Sequence, residues 1–459
     1  MPATYDAIII GTGQSGPALA GRLTRAGWRV AVTERKRFGG TCVNTGCIPT
    51  KTLVASAQAA HVARRAADFG VALEGSVRVD MQRVKARKDA VVRRSNEGVE
   101  NWLRDMANCT VYAGHARFEG PRRVRVGDEI IQAGKIFINV GGRAAIPPIR
   151  GLDAVPYLTN SSMMEVDFLP EHLVILGGSY IGLEFAQMYR RFGSDVTVIE
   201  RMPRLIDRED EDVSAAIRQI LEEEGVRVVT GAECLQFEQR DGRVTAQLTA
   251  AGRSEDVTGS PPLVATGRRP NTDDLALDQA GVEADERGYI KVDGKLRTNV
   301  PGIWAMGDCN GRGAFTHTSY NDFEIVAANL LDDDPRDVGD RILTYALFID
   351  PPLGRAGLTE AQARGSGQPV LMAKMPMERV GRAVERSETK GFMKILVDAN
   401  SQRLLGAALL GIGGDEIIHS LLDIMYAGAP YTVIKRAMHI HPTVTELIPT
   451  MLEGLQPLT

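Results

Sequence analysis

Residues 6–16 read Asp6-Ala-Ile-Ile-Ile-Gly11-Thr-Gly13-Gln-Ser-Gly16, followed by Pro-Ala-Leu-Ala. Ala7 to Ile10 are apolar on both faces, which predicts a strand buried on both sides of a parallel sheet. The glycine turn then opens a helix predicted to run to Arg25, and Val30-Ala-Val-Thr-Glu34 is the next strand. Each glycine has a physical reason. Gly11 permits the tight turn, Gly13 lets a pyrophosphate approach the backbone, and Gly16 lets helix pack on strand. The pyrophosphate sits at the positive end of the helix. Glu34, 23 residues after Gly11 (34 − 11), is placed to accept hydrogen bonds from ribose hydroxyls. The segment predicts a dinucleotide-binding unit.

A second copy of the same logic follows. Leu173-Val-Ile-Leu-Gly177-Gly-Ser179-Tyr180-Ile-Gly182 leads into a helix predicted to reach about Phe192. The strand Val196-Thr-Val-Ile-Glu200 comes next, and Glu200 again lies 23 residues after Gly177 (200 − 177). Ser179 replaces the middle glycine and is still small enough for a phosphate to approach. Two units of equal internal length say more than either motif alone, because a lone glycine motif arises readily by chance.

Around the two units the pattern is coarser. A helix is predicted from about Pro49 to Asp68 and a longer one near Met81 to Met106, then β-rich sequence ending at Gly141-Gly142. After the second unit come short strands, Ala265-Thr-Gly267-Arg-Arg-Pro-Asn271, and another strand in Gly302-Ile-Trp-Ala-Met-Gly307-Asp308. From about Thr344 strands (Gly391 to Val397, Leu404 to Leu410) alternate with helices, Asp415 to Ala427 and a last one from about Thr443. The fold class is therefore α/β, with two Rossmann-like domains and a separate α+β C-terminal domain. The expected boundaries are 1–145 and 269–340 for the first nucleotide domain and its return segment, 146–268 for the second, and 341–459 for the last.

Composition narrows the function. Of 459 residues, 44% are hydrophobic and 24% charged, as in an ordinary soluble globular protein. The net charge of −4, from 54 basic and 58 acidic residues, calls for neither nucleic acid nor an anionic membrane as partner. The most basic stretch, Arg83 to Arg94, is expected to be a solvated helix face. The apolar runs are too short to span a bilayer, and the residues before Ala7 lack a signal peptide's basic flank, so a cytoplasmic setting is expected. Five cysteines in so long a chain do not make a disulfide framework. Cys109, Cys234 and Cys309 are isolated and expected to be small buried residues.

The other two stand together in Gly39-Gly40-Thr41-Cys42-Val-Asn-Thr-Gly-Cys47-Ile-Pro49-Thr-Lys51. Positions five apart on one helix do not face each other, so the glycine between them must turn the chain to bring the thiols together. Pro49 suits a first helical turn. Cys47 is then expected just before that helix, where the dipole stabilises a thiolate. No second cysteine pair or nearby histidine completes a tetrahedral metal site, so no metal is expected. A purely structural disulfide is rare in the cytosol. The reading left standing is a redox pair beside a redox cofactor. This puts FAD on the first glycine unit and a nicotinamide nucleotide on the second. Glu200 favours NADH, since a carboxylate repels a 2′-phosphate; Arg201, Arg204 and Arg208 leave NADPH open.

The segment GGTCVNTGCIPTK resembles the active-site signature of the class I pyridine nucleotide–disulfide oxidoreductases, which include dihydrolipoamide dehydrogenase, glutathione reductase and mercuric reductase. The resemblance covers essentially the whole chain. It implies that Cys42 attacks the substrate disulfide and that Cys47 contacts the flavin. It implies that Lys51 lies near the flavin N5 with Glu184 as its partner, and that Tyr180 covers the flavin until nicotinamide displaces it. Asp308 would bind the FAD ribityl chain. Gly40 and Thr41 would line the flavin, and Gly141 and Gly267 would mark the crossover segments Asn139–Gly142 and Ala265–Gly267. His441-Pro-Thr-Val-Thr-Glu446 resembles the family's HPTxxE motif, with His441 as acid/base and Glu446 orienting it; His439 is expected to be a packed or solvated residue. In the family the base reaches the cysteine pair across a two-fold interface, so a homodimer is implied and residues 341–459 become its dimerisation domain.

The implied activity is reduction of a small-molecule or protein disulfide by NADH (or NADPH) through FAD. The disulfide itself is not legible. Two alternatives stay open at this point. One is a metal-ion (mercuric or copper) or quinone reductase on the same centre, or a dihydrolipoamide dehydrogenase. The other is a non-catalytic nucleotide-binding subunit. The sequence around His317 and after His441 resembles the mercuric-reductase-like branch. Against mercury, the sequence ends Gly-Leu-Gln-Pro-Leu-Thr without a cysteine pair and begins at the first glycine unit.

Overall fold

The computed structural model describes residues 2–458. The opening apolar run is a strand, Ala3–Ile10, whose last four residues are buried. It is apolar on both faces because it is central: Val30–Glu34 pairs with it in parallel on one side and Glu129–Ile138 on the other. Cys109–Ala113 extends the sheet beyond Val30–Glu34, and an antiparallel ribbon of Arg123–Val126 and Ala116–Gly120 continues it on the far side. Ile303–Ala305 comes back from far along the chain to pair in parallel with Glu129–Ile138. That return brings the turn Gly307–Asn310 to the first nucleotide unit.

The second glycine unit builds its own parallel sheet, in the order Val226–Val229, Asp195–Ile199, His172–Leu176, Leu263–Val264. A three-stranded antiparallel sheet, Ala232–Arg240, Arg243–Ala250 and Arg253–Gly259, packs on it. The two crossover segments meet as a two-stranded ribbon, Gly142–Ala144 with Arg268–Pro270. The C-terminal region is a six-stranded antiparallel sheet carrying the helix Gly414–Tyr426 on one face. The α/β class and the α+β C-terminal region are as read from the sequence.

One apolar cluster ties the three regions together. Leu53 and Ala57 of the helix Cys47–Arg64 share it with Leu183, Phe185 and Met188 of the helix Tyr180–Phe192. Leu347, Leu353 and Leu410 of the C-terminal sheet complete it. The contact between those two helices carries the thiol segment onto the second nucleotide unit.

Several local expectations need correction. The last helix predicted from about Thr443 is instead a series of short turns, Thr445–Leu447, Ile448–Met451 and Leu452–Gly454. Pro449 has no N–H to give and the β-branched Thr443, Val444 and Thr445 resist helix, so no long ladder forms. The basic stretch is not wholly solvated. Lys88 is 3% exposed, and its ammonium donates to the carbonyl of Met164 (2.6 Å) and pairs with Asp89. Cys309 is buried, but Cys109 and Cys234 are only half-buried. Among the described residues, no helix is long and apolar enough to cross a membrane.

Candidate functional site

The two glycine turns are built alike. Gly11 has φ +101° and Gly177 φ +112°, both in the region that strains a side-chain-bearing residue. A Cβ on Gly11 would overlap the carbonyl of Asn139, and one on Gly177 would lie 2.5 Å from that of Ala265. Gly16 and Gly182 are pressed on the carbonyls of Gly11 and Gly177, respectively. The helices that follow, Ser15–Arg25 and Tyr180–Phe192, point their free N–H groups at the turns. Each acid folds back on its own turn. Glu34 accepts from Thr12 N (3.1 Å) and Thr12 Oγ1 (2.6 Å), and Glu200 from Gly178 N (2.6 Å).

The thiols lie on two short pieces of helix at an angle. Cys42 sits in Gly40–Asn44, and Cys47 is the first residue of Cys47–Arg64 rather than just before it. Gly46 makes the corner, since a Cβ there would come 2.9 Å from the Thr41 carbonyl. Asn44 clamps the loop by donating to the carbonyls of Phe38 (2.8 Å) and Gly40 (2.9 Å). Gly40, at φ +61°, presses on the first nucleotide turn; a Cβ on it would lie 2.8 Å from Gly13 Cα. That contact sets the cysteine pair directly on the first glycine turn.

The two thiols share their protons unequally. The hydrogen bond from Cys42 holds Cys47 down to about 6, against burial, with help from the Thr316 hydroxyl and the Lys51 charge. The same bond, with burial, pushes Cys42 far above the ordinary thiol range. Cys47 therefore carries the negative charge and Cys42 keeps its proton. Thr316 Oγ1 lies 3.1 Å from Cys47 Sγ, at the start of the helix Thr316–Ala327. Sequence reading had no signal for Thr316, which is 269 residues from Cys47.

Lys51 reaches both carboxylate oxygens of Glu184 at 2.9 Å. Its ammonium also stands 4.4 Å from the centre of the Phe348 ring, and the Phe348 N–H donates to Glu184 Oε1 (3.2 Å). Glu184 of the second region and Phe348 of the third thus fix this cation of the first. Phe348 was not singled out from the sequence. Asp308 lies in the turn Gly307–Asn310, 3.4 Å from Arg268 Nε, and Arg268 donates to the carbonyl of Gly142 (2.5 Å). The Asn139 amide donates to the carbonyls of Gly11 (3.3 Å) and Gly13 (3.2 Å), so the crossover segment supports the first turn.

A single cleft of about 2610 Å³ is lined by Gly11, Gly13, Glu34, Gly40, Thr41, Cys42, Cys47, Lys51, Gly141 and Asp308. It continues past Gly177, Tyr180, Glu184 and Glu200 to Gly267. That exceeds the roughly 300–1,000 Å³ of an ordinary small-ligand pocket. It suits two nucleotides laid end to end. The fit to FAD rests on the crowded glycines, the oriented Glu34 carboxylate and the carboxylate of Asp308 at the far end. Gly13 leaves the first turn open to a phosphate, while Gly16 and Gly182 let each helix pack close against its own turn.

His441 and Glu446 are joined to each other, Nδ1 to Oε2 at 2.8 Å, but are absent from the residues lining the cleft. The His441 side chain is 82% exposed, beside the exposed Met438 and Ile440. Within one chain it does not meet the cysteines. His439 keeps a buried Nδ1 without a hydrogen-bond partner.

A family model described as pyridine nucleotide-disulphide oxidoreductase matches residues 5–322, and one described as its dimerisation domain matches residues 343–452. The chain is 39% identical to the probable pyridine nucleotide-disulfide oxidoreductase RclA of Escherichia coli, over 96% of this chain and 97% of that one. It is 35% identical to a mercuric reductase of Streptomyces lividans (97% and 94% covered). It is 33% identical to a dihydrolipoyl dehydrogenase of Thermus scotoductus (98% and 97%). Among solved structures it resembles a Cu(II) complex of the HOCl-induced flavoprotein disulfide reductase RclA from Escherichia coli. The TM-score is 0.89 at 37% identity, with 98% and 99% of the chains covered.

Proposed function

The chain belongs to the pyridine nucleotide-disulphide oxidoreductases, a family of FAD- and NAD(P)H-dependent flavoprotein disulfide reductases, and from that premise we propose how its own residues divide the work. Residues 1–145 and 269–340 hold FAD, 146–268 hold the nicotinamide nucleotide, and 341–459 pair with a second copy. FAD, when bound, relays two electrons from NAD(P)H to the cysteine pair. Gly11, Gly13 and Gly16 receive its pyrophosphate, Glu34 its ribose and Asp308 its ribityl chain. Gly177, Gly182 and Glu200 receive the nicotinamide nucleotide, with NADH preferred. Lys51, fixed by Glu184, places a positive charge beside the electron-accepting ring. Tyr180 covers that ring until the nicotinamide arrives.

The carrying observation is the cysteine pair set on the first glycine turn, with Thr316 Oγ1 3.1 Å from Cys47 Sγ; the bond between the thiols favours the anion on Cys47 and the proton on Cys42. A protonated thiol is a poor nucleophile, so Cys42 needs a base. His441 of a partner subunit supplies it, which accounts for a histidine oriented by Glu446 yet turned away from its own cleft. Cys42 then attacks a disulfide, the S–S bond breaks, and His441 returns the proton to the leaving thiolate. The Cys47 thiolate attacks Cys42 in the mixed disulfide, releasing the second thiol and closing the Cys42–Cys47 bond. The hydride of NAD(P)H supplies both electrons, and one proton from solvent goes to the second leaving thiolate, so that one disulfide becomes two thiols. We place this chemistry in the cytoplasm, where thiols stay reduced.

The test is Cys42→Ser in the holoenzyme. Disulfide turnover is expected to fall by at least about 10³-fold, in line with removal of a nucleophile, while anaerobic NADH still bleaches the flavin. Retained turnover would sink the assignment. A second reading is reduction of a metal ion at the same dithiol, favoured by the Cu(II) complex of the RclA relative. NADH oxidation with Cu(II) as acceptor in place of a disulfide separates the two.

A further inference from the structure

Tyr180 is not alone in the cleft. The ring of Tyr345, from the strand Thr344–Leu347, stands 5.4 Å from it at 69°, and the ring of Phe315 stands 5.8 Å away at 76°. Tyr345 and Phe315 stack on each other at 5.6 Å and 14°. Both present ring edges and faces to Tyr180 in the edge-to-face arrangement that aromatic quadrupoles favour. The corner is made by three separate elements: the start of the second nucleotide helix, the segment before Thr316, and the first strand of the C-terminal sheet.

Tyr345 is the member that cannot give way. It is buried, and its phenol donates to Glu209. Burial and the neighbouring Glu209 charge push the phenol far above its ordinary range, so it stays a donor at all physiological pH. Glu209 is itself buried and held by Arg355, Nε to Oε2 at 3.2 Å. Arg355 also reaches Asp210 at 2.8 Å, and Lys394 lies 2.8 Å from Asp210 and 2.7 Å from Asp212. Breaking one member of a buried ion network leaves a charge uncompensated, which strongly disfavours any movement that would do so. Tyr345 is therefore pinned by a buried network, whereas Tyr180 is half-buried and its phenol leans on that of Tyr345 itself.

We propose that Tyr345 is a positioning residue: a fixed stop, braced by Glu209 and Arg355, against which Tyr180 rests when it covers the nicotinamide site. The inference deepens, and rests on, the reading of Tyr180 as the cover. Tyr180 must leave this corner for the nicotinamide to bind. The attraction of the corner then reduces the fraction of molecules open to nucleotide, and apparent affinity falls by that fraction. Weakening the stop raises nucleotide affinity.

The experiment is calorimetric titration of the flavin-loaded protein with NAD⁺, for wild type, Tyr345→Phe, Tyr345→Ala and Tyr180→Ala. An edge-to-face pair of this kind corresponds to roughly three- to tenfold in an equilibrium constant. Tyr345→Ala is expected to lower the NAD⁺ Kd by about that factor, and Tyr180→Ala by as much or more. Tyr345→Phe keeps the ring but loses the phenol's ties to Glu209 and to Tyr180; it is expected to fall between them and wild type, and carries the test if Tyr345→Ala does not fold. Disulfide reduction by pre-reduced Tyr345→Phe is expected to match wild type, a split that a general loss of structure would not produce. An unchanged Kd in both Tyr345 variants with a lowered one in Tyr180→Ala overturns the stop and leaves the cover standing. An unchanged Kd in Tyr180→Ala overturns the cover and the stop with it.

Discussion

The two nucleotide units share a backbone and differ in what lies over it. Both turn at a positive-φ glycine, Gly11 at +101° and Gly177 at +112°, and both fold an acid back onto the turn. Over the first turn lies Gly40, a Cβ of which would come 2.8 Å from Gly13 Cα, with the cysteine loop behind it. The returning strand Ile303–Ala305 and the Asn139 amide close its other sides. Over the second lies a single half-buried ring, Tyr180, and the side chains facing the outer end, Arg201 and Arg208, are exposed. On the proposed assignment, one motif serves a resident cofactor or a visiting one according to its cover. The first unit is roofed by backbone from elsewhere in the chain, the second by a side chain that can turn.

The most severe way to break that contrast is to strain each turn equally. Gly11→Ala and Gly177→Ala put a Cβ at a positive φ and against a carbonyl, a cost of order 1–3 kcal/mol from the backbone alone. If the first site is resident, Gly11→Ala protein should purify without the yellow flavin absorbance and without activity. Gly177→Ala should keep its flavin and lose roughly 10- to 100-fold in apparent NADH affinity. Flavin content by absorbance and KM by steady state decide it, with circular dichroism to confirm that both fold. Equal flavin loss in the two variants would show that the units are not functionally distinct.

That contrast also marks what the sequence could carry. The strands, glycine turns, acids and cysteine loop are local patterns whose periods and spacings can be read along the chain. Lys51 and Glu184 were paired through family resemblance and lie 2.9 Å apart. The roofs were not legible, because they are made by residues distant in sequence: Thr316 on Cys47, Phe348 over Lys51, and Tyr345 against Tyr180. Phe348 and Tyr345 are placed only when the C-terminal sheet packs on the two nucleotide domains, and Thr316 only when the helix Thr316–Ala327 packs back on Ser15–Arg25. Lys88 shows the same limit in reverse. Its surroundings in sequence are those of a solvated helix, and only tertiary packing puts its ammonium on the Met164 carbonyl.

A smaller effect tests the roof over the first unit. Cys47 is held down to about 6, and the Thr316 hydroxyl is one of the donors that prefer its anion. The thiolate is the form present above that pKa, so losing a donor moves the midpoint up. A hydrogen bond to a charged group contributes about 1.5–3 kcal/mol. In Thr316→Val the thiolate should appear about one to two pH units higher. The readout is the pH at which the long-wavelength absorbance of the two-electron-reduced enzyme is half-developed. NADH affinity should not change, because Thr316 lies on the first unit's side of the cleft. A midpoint that stays near 6 would mean that the Cys42 hydrogen bond and Lys51 suffice.

The smallest effect separates the two acids, whose geometry is most alike. Glu200 spends one oxygen on Gly178 N and the other on Met202 N (2.8 Å), so its charge is fixed at the ribose end of the second turn. A 2′-phosphate placed there meets a like charge, whose repulsion at about 4 Å runs from about 1 kcal/mol in water to about 4 kcal/mol near a protein surface. Arg204 is tied to Asp207 at 3.5 Å, which leaves the exposed Arg201 and Arg208 to receive such a phosphate once the carboxylate is gone. Glu200→Ser keeps a small acceptor for Gly178 and removes the charge. It should raise the ratio of kcat/KM for NADPH over NADH by roughly tenfold. Glu34→Ser, the matching change in the first unit, should leave that ratio alone and weaken flavin retention instead. If Glu34→Ser shifted the nucleotide ratio, or Glu200→Ser released flavin, the two sites would have been assigned the wrong way round.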